Sequence, residues 1–151
     1  MLFAPSGRPG PFQAIRLGGS GDVTKSHLVW QVTRKGHRDV SSQIYMNDLI
    51  FAADREGFLT CHDPANGKLI YTHRLESAKS LASPITLRGK LLFILDNGTA
   101  WLVEPTRTFK ASDENRLGQG LDLEFEASPA VVRGRLYIRS RTHLYCIGEK
   151  N

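Results

Sequence analysis

The chain has 151 residues, room for one domain or for part of a repeating one, and two separate cores of that total would each be marginal. Hydrophobic residues are 40% of the composition and charged residues 23%, which excludes the disordered, collagenous and coiled-coil classes. Lys and Arg exceed Asp and Glu by a formal +5, which permits an acidic partner without demanding one, and no apolar run approaches the ~18 residues of a membrane span.

In chain order, Leu2-Phe3-Ala4, Phe12-Gln13-Ala14-Ile15-Arg16 and His27-Leu28-Val29-Trp30-Gln31-Val32 read as strands, with Gly7-Arg8-Pro9-Gly10 as the first turn. Gly18-Gly19-Ser20-Gly21-Asp22 resembles a phosphate loop, but no Lys-Ser/Thr and no helical pattern follow, so an interstrand loop is expected. From Ser41 a hairpin follows, its apolar runs joined by Asn47-Asp48, and Asp54-Arg55-Glu56-Gly57 then turns the chain into Phe58-Leu59-Thr60-Cys61-His62. Asp63-Pro64-Ala65-Asn66-Gly67 is a dense turn cluster ahead of Lys68-Leu69-Ile70-Tyr71-Thr72. The pattern returns from Ala82, with Arg88-Gly89 as the hairpin pair and Asp96-Asn97-Gly98 before Thr99-Ala100-Trp101-Leu102-Val103. It returns again from Ala127, with Arg133-Gly134, then Ser140-Arg141-Thr142 before His143-Leu144-Tyr145-Cys146-Ile147.

Three hairpin segments align without a gap, beginning at Ser41, Ala82 and Ala127, and Ser42, Ser83 and Ser128 recur at intervals of 41 and 45 residues. That period belongs to units of four short strands, such as propeller blades. Pro84 and Pro129 open the first strand of their units, where a missing N–H is tolerated, and this places the first strand innermost. The expected fold is an all-β, partial β-propeller of four-stranded antiparallel blades in one domain, with units at 1–36, 41–77, 82–119 and 127–147. Two blades are complete; the first lacks its first strand and the last its fourth. Ala14, Cys61, Leu102 and Cys146 hold equivalent positions in the third strands.

The run Asp63-Pro64-Ala65-Asn66-Gly67-Lys68-Leu69-Ile70-Tyr71 resembles the A-x-D-x-x-T-G-x-x-x-W docking motif of pyrroloquinoline-quinone-type propellers. Cys61 stands in the Ala position, Asn66 in the Thr position and Tyr71 in the Trp position, and Trp30 holds that last place in the preceding unit. The third unit carries Thr108-Phe109-Lys110-Ala111-Ser112-Asp113 instead, without a docking aromatic. The resemblance implies the quinoprotein-dehydrogenase-like fold, commonly eight blades about a channel, shared by dehydrogenases and by non-enzymatic relatives such as the propeller lipoprotein of outer-membrane protein assembly. It also implies inter-blade docking by Trp30, Asp63, Gly67 and Tyr71. Its members are often periplasmic or secreted, whereas no signal peptide opens this chain, which by itself suggests the cytoplasm.

An open arc of four blades leaves an apolar face at each end. Either a second copy closes an eight-bladed ring as a homodimer, or the chain is the carboxy-terminal piece of a longer propeller. The chemistry of quinoprotein enzymes finds no place: Cys61 and Cys146 fall two units apart, beyond disulfide reach, and both are expected as buried free thiols. His27, His37, His62, His73 and His143 lack metal-ligand spacing, and His62 and Asp63 point to opposite faces of a strand. No acid–base partner recurs with the repeated serines. No metal, cofactor or catalytic residue is therefore expected.

Basic residues gather at the turns, with Arg88, Lys90, Arg133 and Arg135 as a candidate rim, Arg139 and Arg141 beside it, and Arg34, Lys35 and Arg38 ahead of the second unit. Trp30, Tyr71, Trp101 and Tyr137 are expected between blades rather than interleaved with that charge, which argues against nucleic acid. The expected function is a non-catalytic binding or scaffolding module for an unidentified protein partner. The alternatives are a subunit or remnant of a quinone-dependent dehydrogenase, and a basic rim that takes an acidic ligand or nucleic acid.

Overall fold

A two-residue hairpin that follows the natural twist of its strands needs positive φ at both central residues. Asn47 and Asp48 lie at 51° and 55°, Arg88 and Gly89 at 50° and 77°, and Arg133 and Gly134 at 50° and 75°. Each pair therefore folds the chain sharply back between two strands. The computed structural model describes residues 1–5, 10–33, 41–76, 78–117 and 124–148. The turn at Gly7, Arg8 and Pro9, and Arg34, Lys35, His37 and Arg38, lie outside the described residues.

Among the described residues every element is a strand, and the strands form four antiparallel sheets. Sheet 1 contains β1 (Leu2–Pro5), β2 (Pro11–Ile15) and β3 (Leu28–Thr33), in that order. Sheet 2 is β4 (Ile44–Met46), β5 (Leu49–Ala53), β6 (Phe58–His62) and β7 (Leu69–Arg74). Sheet 3 repeats this with β8 (Ile85–Leu87), β9 (Lys90–Ile94), β10 (Thr99–Val103) and β11 (Ala111–Arg116), and sheet 4 has β12 (Ala130–Val132), β13 (Arg135–Arg139) and β14 (Leu144–Ile147). This is a partial β-propeller of four-stranded and three-stranded blades.

The repeat extends to the register. Ala14 faces Phe3 and Trp30, Cys61 faces Phe51 and Tyr71, Leu102 faces Leu92 and Asp113, and Cys146 faces Tyr137. Immediately after this position the pairing of the third and fourth strands shifts in all three sheets that have both, at Ala14/Ile15, Cys61/His62 and Leu102/Val103. A bulge at one repeated site bends each outer strand alike.

Alternation along each strand divides the apolar residues between two neighbours. Leu49, Phe51, Ala53, Leu59 and Cys61 of sheet 2 pack with Leu91, Phe93, Leu95 and Val103 of sheet 3. The opposite face of sheet 3, with Leu92, Ile94 and Ala100, meets Phe125 and Ile138. β5 is buried at every residue and β9 at all but Lys90, because each lies between two sheets. Each fully buried Phe, Leu or Ile contributes roughly 1.5–3 kcal/mol relative to exposure. Ser42 N–H donates to Ser83 Oγ at 2.9 Å and Ser83 N–H to Ser128 Oγ at 3.0 Å, so the starts of successive first strands adjoin. That contact puts β4, β8 and β12 closest to the common axis.

Three features depart from the sequence reading. β11 is an outer strand with six exposed residues, held by backbone pairing to β10 rather than by an apolar face. Phe125 precedes the fourth repeat yet is fully buried, its amide donating to Asp96 O at 3.0 Å and its ring 5.7 Å from that of Tyr145. Cys61 is buried but Cys146 is exposed, because no described sheet covers the outward face of sheet 4; Tyr137, expected between blades, lies on that same face.

Candidate functional site

The small residue Ala14 leaves space on its strand that the flanking rings of Phe3 and Trp30 close over, their centroids 6.0 Å apart. Trp30 then reaches the turn between β6 and β7, where its Nε1–H donates to Pro64 O at 2.8 Å. Its ring lies where Gly67 has no side chain: a Cβ there would come within 2.6 Å of the indole. Gly67 also has φ +72°, which L side chains avoid, so backbone and packing demand the same residue. Asp63 shapes the turn, with Oδ1 accepting from Ala65 N–H at 2.9 Å, while Oδ2 pairs with Arg107 of the next unit at 3.5 Å. The turn of sheet 2 is thus gripped by an indole from one neighbour and a guanidinium from the other.

His62 Nδ1 lies 3.1 Å from Gly67 O, and its ring meets that of Phe12 edge-on at 5.4 Å. Burial pushes the Cys61 thiol up to about 11, which keeps it protonated and a poor nucleophile. Tyr71 is turned toward sheet 3 and takes no part in the Trp30 contact; its ring packs edge-on to Phe109 at 6.3 Å. Its buried hydroxyl has no hydrogen-bond partner among the described residues, and burial holds it protonated far above the usual phenol range. His73 stacks on Phe109 at 3.4 Å, and burial lowers its pKa. Phe109 therefore fills space beside Tyr71 although Asp113 holds the docking position of its own unit, a contact the sequence reading missed because the intervening turn is one residue longer than in sheet 2.

The basic residues are spread over different settings. Arg88 and Arg133 occupy hairpin turns at φ 50°. Lys90 begins β9 and pairs with Glu104 at 3.1 Å. Arg135 begins β13 and runs beside Gly148, whose missing Cβ would fall 3.0 Å from Arg135 Cγ. The glycine-rich segment at Gly18–Asp22 is an exposed interstrand loop. A cavity of about 520 Å³ opens between sheets 1 and 2, lined by Val32, Phe58, Thr60, His62, Leu69 and Thr72.

The sequence matches no family profile and no curated protein. The structure, however, is similar to solved propellers. BamB from Moraxella catarrhalis superposes with a TM-score of 0.71 at 18% identity, over 91% of this chain and 43% of its own. A europium-containing methanol dehydrogenase gives 0.59 at 18% identity, over 81% and 24%, and the quinohemoprotein alcohol dehydrogenase from Comamonas testosteroni gives 0.57 at 14%, over 69% and 17%. The chain has the fold of pyrroloquinoline-quinone-type propellers and spans less than half the length of these proteins.

The two cysteines lie in sheets 2 and 4 with sheet 3 between them. Among the described residues no three of His, Cys, Asp and Glu gather where they would hold a metal ion. No helix among them is long and apolar enough to cross a membrane.

Proposed function

We propose that the chain is a non-catalytic propeller module that presents a protein-binding or scaffolding surface. The observation that carries this reading is the fate of Cys61, His62 and Asp63, the one stretch where a thiol, an imidazole and a carboxylate are consecutive. Burial keeps the thiol protonated, the imidazole lies against the Gly67 carbonyl, and the carboxylate shapes a turn and pairs with Arg107. All three serve the junctions between sheets. The surface instead carries cations and apolar side chains, among them Tyr45, Val132 and Leu144.

Addition of pyrroloquinoline quinone and calcium tests it. We expect no change in the cofactor absorption and no dye-linked alcohol oxidation; either signal would make the chain part of a quinone-dependent dehydrogenase. Affinity capture on the immobilised chain is expected to retain protein, with retention lost as salt rises.

A further inference from the structure

We propose that the cavity between sheets 1 and 2 binds a small planar aromatic molecule carrying an N–H or O–H donor, a role separate from the protein-binding reading above. Side chains alternate along a strand, so the residue before each repeated third-strand position faces the preceding sheet. In sheet 3 that residue is Trp101, paired with Phe93 and Glu114, and it packs into the core shared with sheet 2. In sheet 4 it is Tyr145, paired with Ile138, and it packs into the core shared with sheet 3. In sheet 2 it is Thr60, paired with Ala52 and Thr72. Two junctions therefore receive an aromatic ring at this place from the chain itself, where the third receives a threonine.

The cavity lies at this point of sheet 2. Thr60 and Thr72 line it, with Phe58 and His62 to either side of Thr60 and Leu69 beside His62, while Val32 of β3 lines it from sheet 1. Its volume of about 520 Å³ falls within the roughly 300–1,000 Å³ of small-molecule sites. One wall is held in place, since His62 Nδ1 lies 3.1 Å from Gly67 O and the ring rests edge-on against Phe12. Sheet 2 has all four strands, and β3 is separated by β2 and β1 from the edge of sheet 1 at which a first strand would pair.

The lining selects the ligand. Val32, Phe58 and Leu69 offer apolar surface to the faces of a ring, as the two core clusters do for Trp101 and Tyr145 in their own junctions. The Thr60 hydroxyl donates to Ala52 O at 3.3 Å, so its proton is committed and its oxygen is left to accept. A ring bearing a donor meets that oxygen with a hydrogen bond, whereas a ring without one covers it unpaired, at a cost. Indoles and phenols have that character, and they are the ring types of Trp101 and Tyr145.

The test titrates the full chain with indole, followed by calorimetry and by amide chemical shifts. We expect saturable binding with the shifts concentrated in β3, β6 and β7. The analogue 1-methylindole, which has lost the donor, should bind about fivefold more weakly. Thr60→Val keeps the shape of the site and removes the acceptor, so it should bind indole and 1-methylindole alike. Thr60→Trp, which copies sheet 3, should fill the cavity and abolish binding, while Thr60→Ser, which keeps both space and hydroxyl, should retain it. If Thr60→Trp does not fold, the comparison of the two ligands on wild type and Thr60→Val still decides. No saturable binding by the wild-type chain overturns the site and leaves the protein-binding reading intact. Shifts centred on another junction, or a folded Thr60→Trp that binds as wild type does, also overturn it. Equal affinity of the wild type for the two ligands overturns the donor.

Discussion

Gly67 is the residue on which the junction between sheets 1 and 2 depends, since both its φ of +72° and the indole above it exclude a side chain. Gly67→Ala should cost about 2 kcal/mol, read as a lower denaturant midpoint, and should shift Trp30 emission as the ring is pushed from the turn. A midpoint equal to wild type would show that the indole does not rest there. Acid is a second lever. Folding lowers the pKa of His73 by burial, and that of Glu76 through the hydrogen bond that Asn97 Nδ2 donates to its Oε2 at 3.0 Å. In both cases the unfolded chain binds the proton more readily, so stability is full above the ordinary values of 6.5 and 4.5 and falls as pH drops below each in turn. Thermal melts from neutral pH downward should show the first loss below 6.5, and His73→Phe should flatten that portion of the curve.

At the scale of elements, the hairpins were legible because Asn47-Asp48, Arg88-Gly89 and Arg133-Gly134 interrupt apolar runs where the chain must reverse, and the backbone adopts the positive φ such pairs tolerate. Arg88 and Arg133 do so against their own preference, since a non-glycine residue in the left-handed region costs roughly 1–2 kcal/mol. Arg133→Asn should therefore raise the melting temperature by a few degrees, a gain of about 0.5–1 kcal/mol, and an unchanged melt would mean the arginine side chain repays its backbone strain. β11 was not legible in this way. Ala-Ser-Asp-Glu-Asn-Arg carries neither period nor apolar face, and it becomes a strand only because β10 offers an open ladder.

For the whole molecule, stability should grade from the middle outward, because β5 and β9 are enclosed by sheets on both sides while sheets 1 and 4 each have one described neighbour. Native-state hydrogen exchange should find its slowest amides in Leu49–Ala53 and Leu91–Ile94, with faster exchange in β1 and β14. Uniform protection across all four sheets would mean that the arc unfolds as one unit. The succession of serines along the axis has an implication of its own. Ser42 gives its amide to Ser83, which gives its own to Ser128, so the series has a direction, as a zip does. A duplicate of residues 41–81 spliced ahead of Ala82 would bring a serine able to accept from Ser42 and donate to Ser83, lengthening the arc by one tooth without changing any bond of its kind. Growth of this sort, unit by unit along a polar thread, is a route by which chains of this architecture can differ in blade number while keeping one central seam.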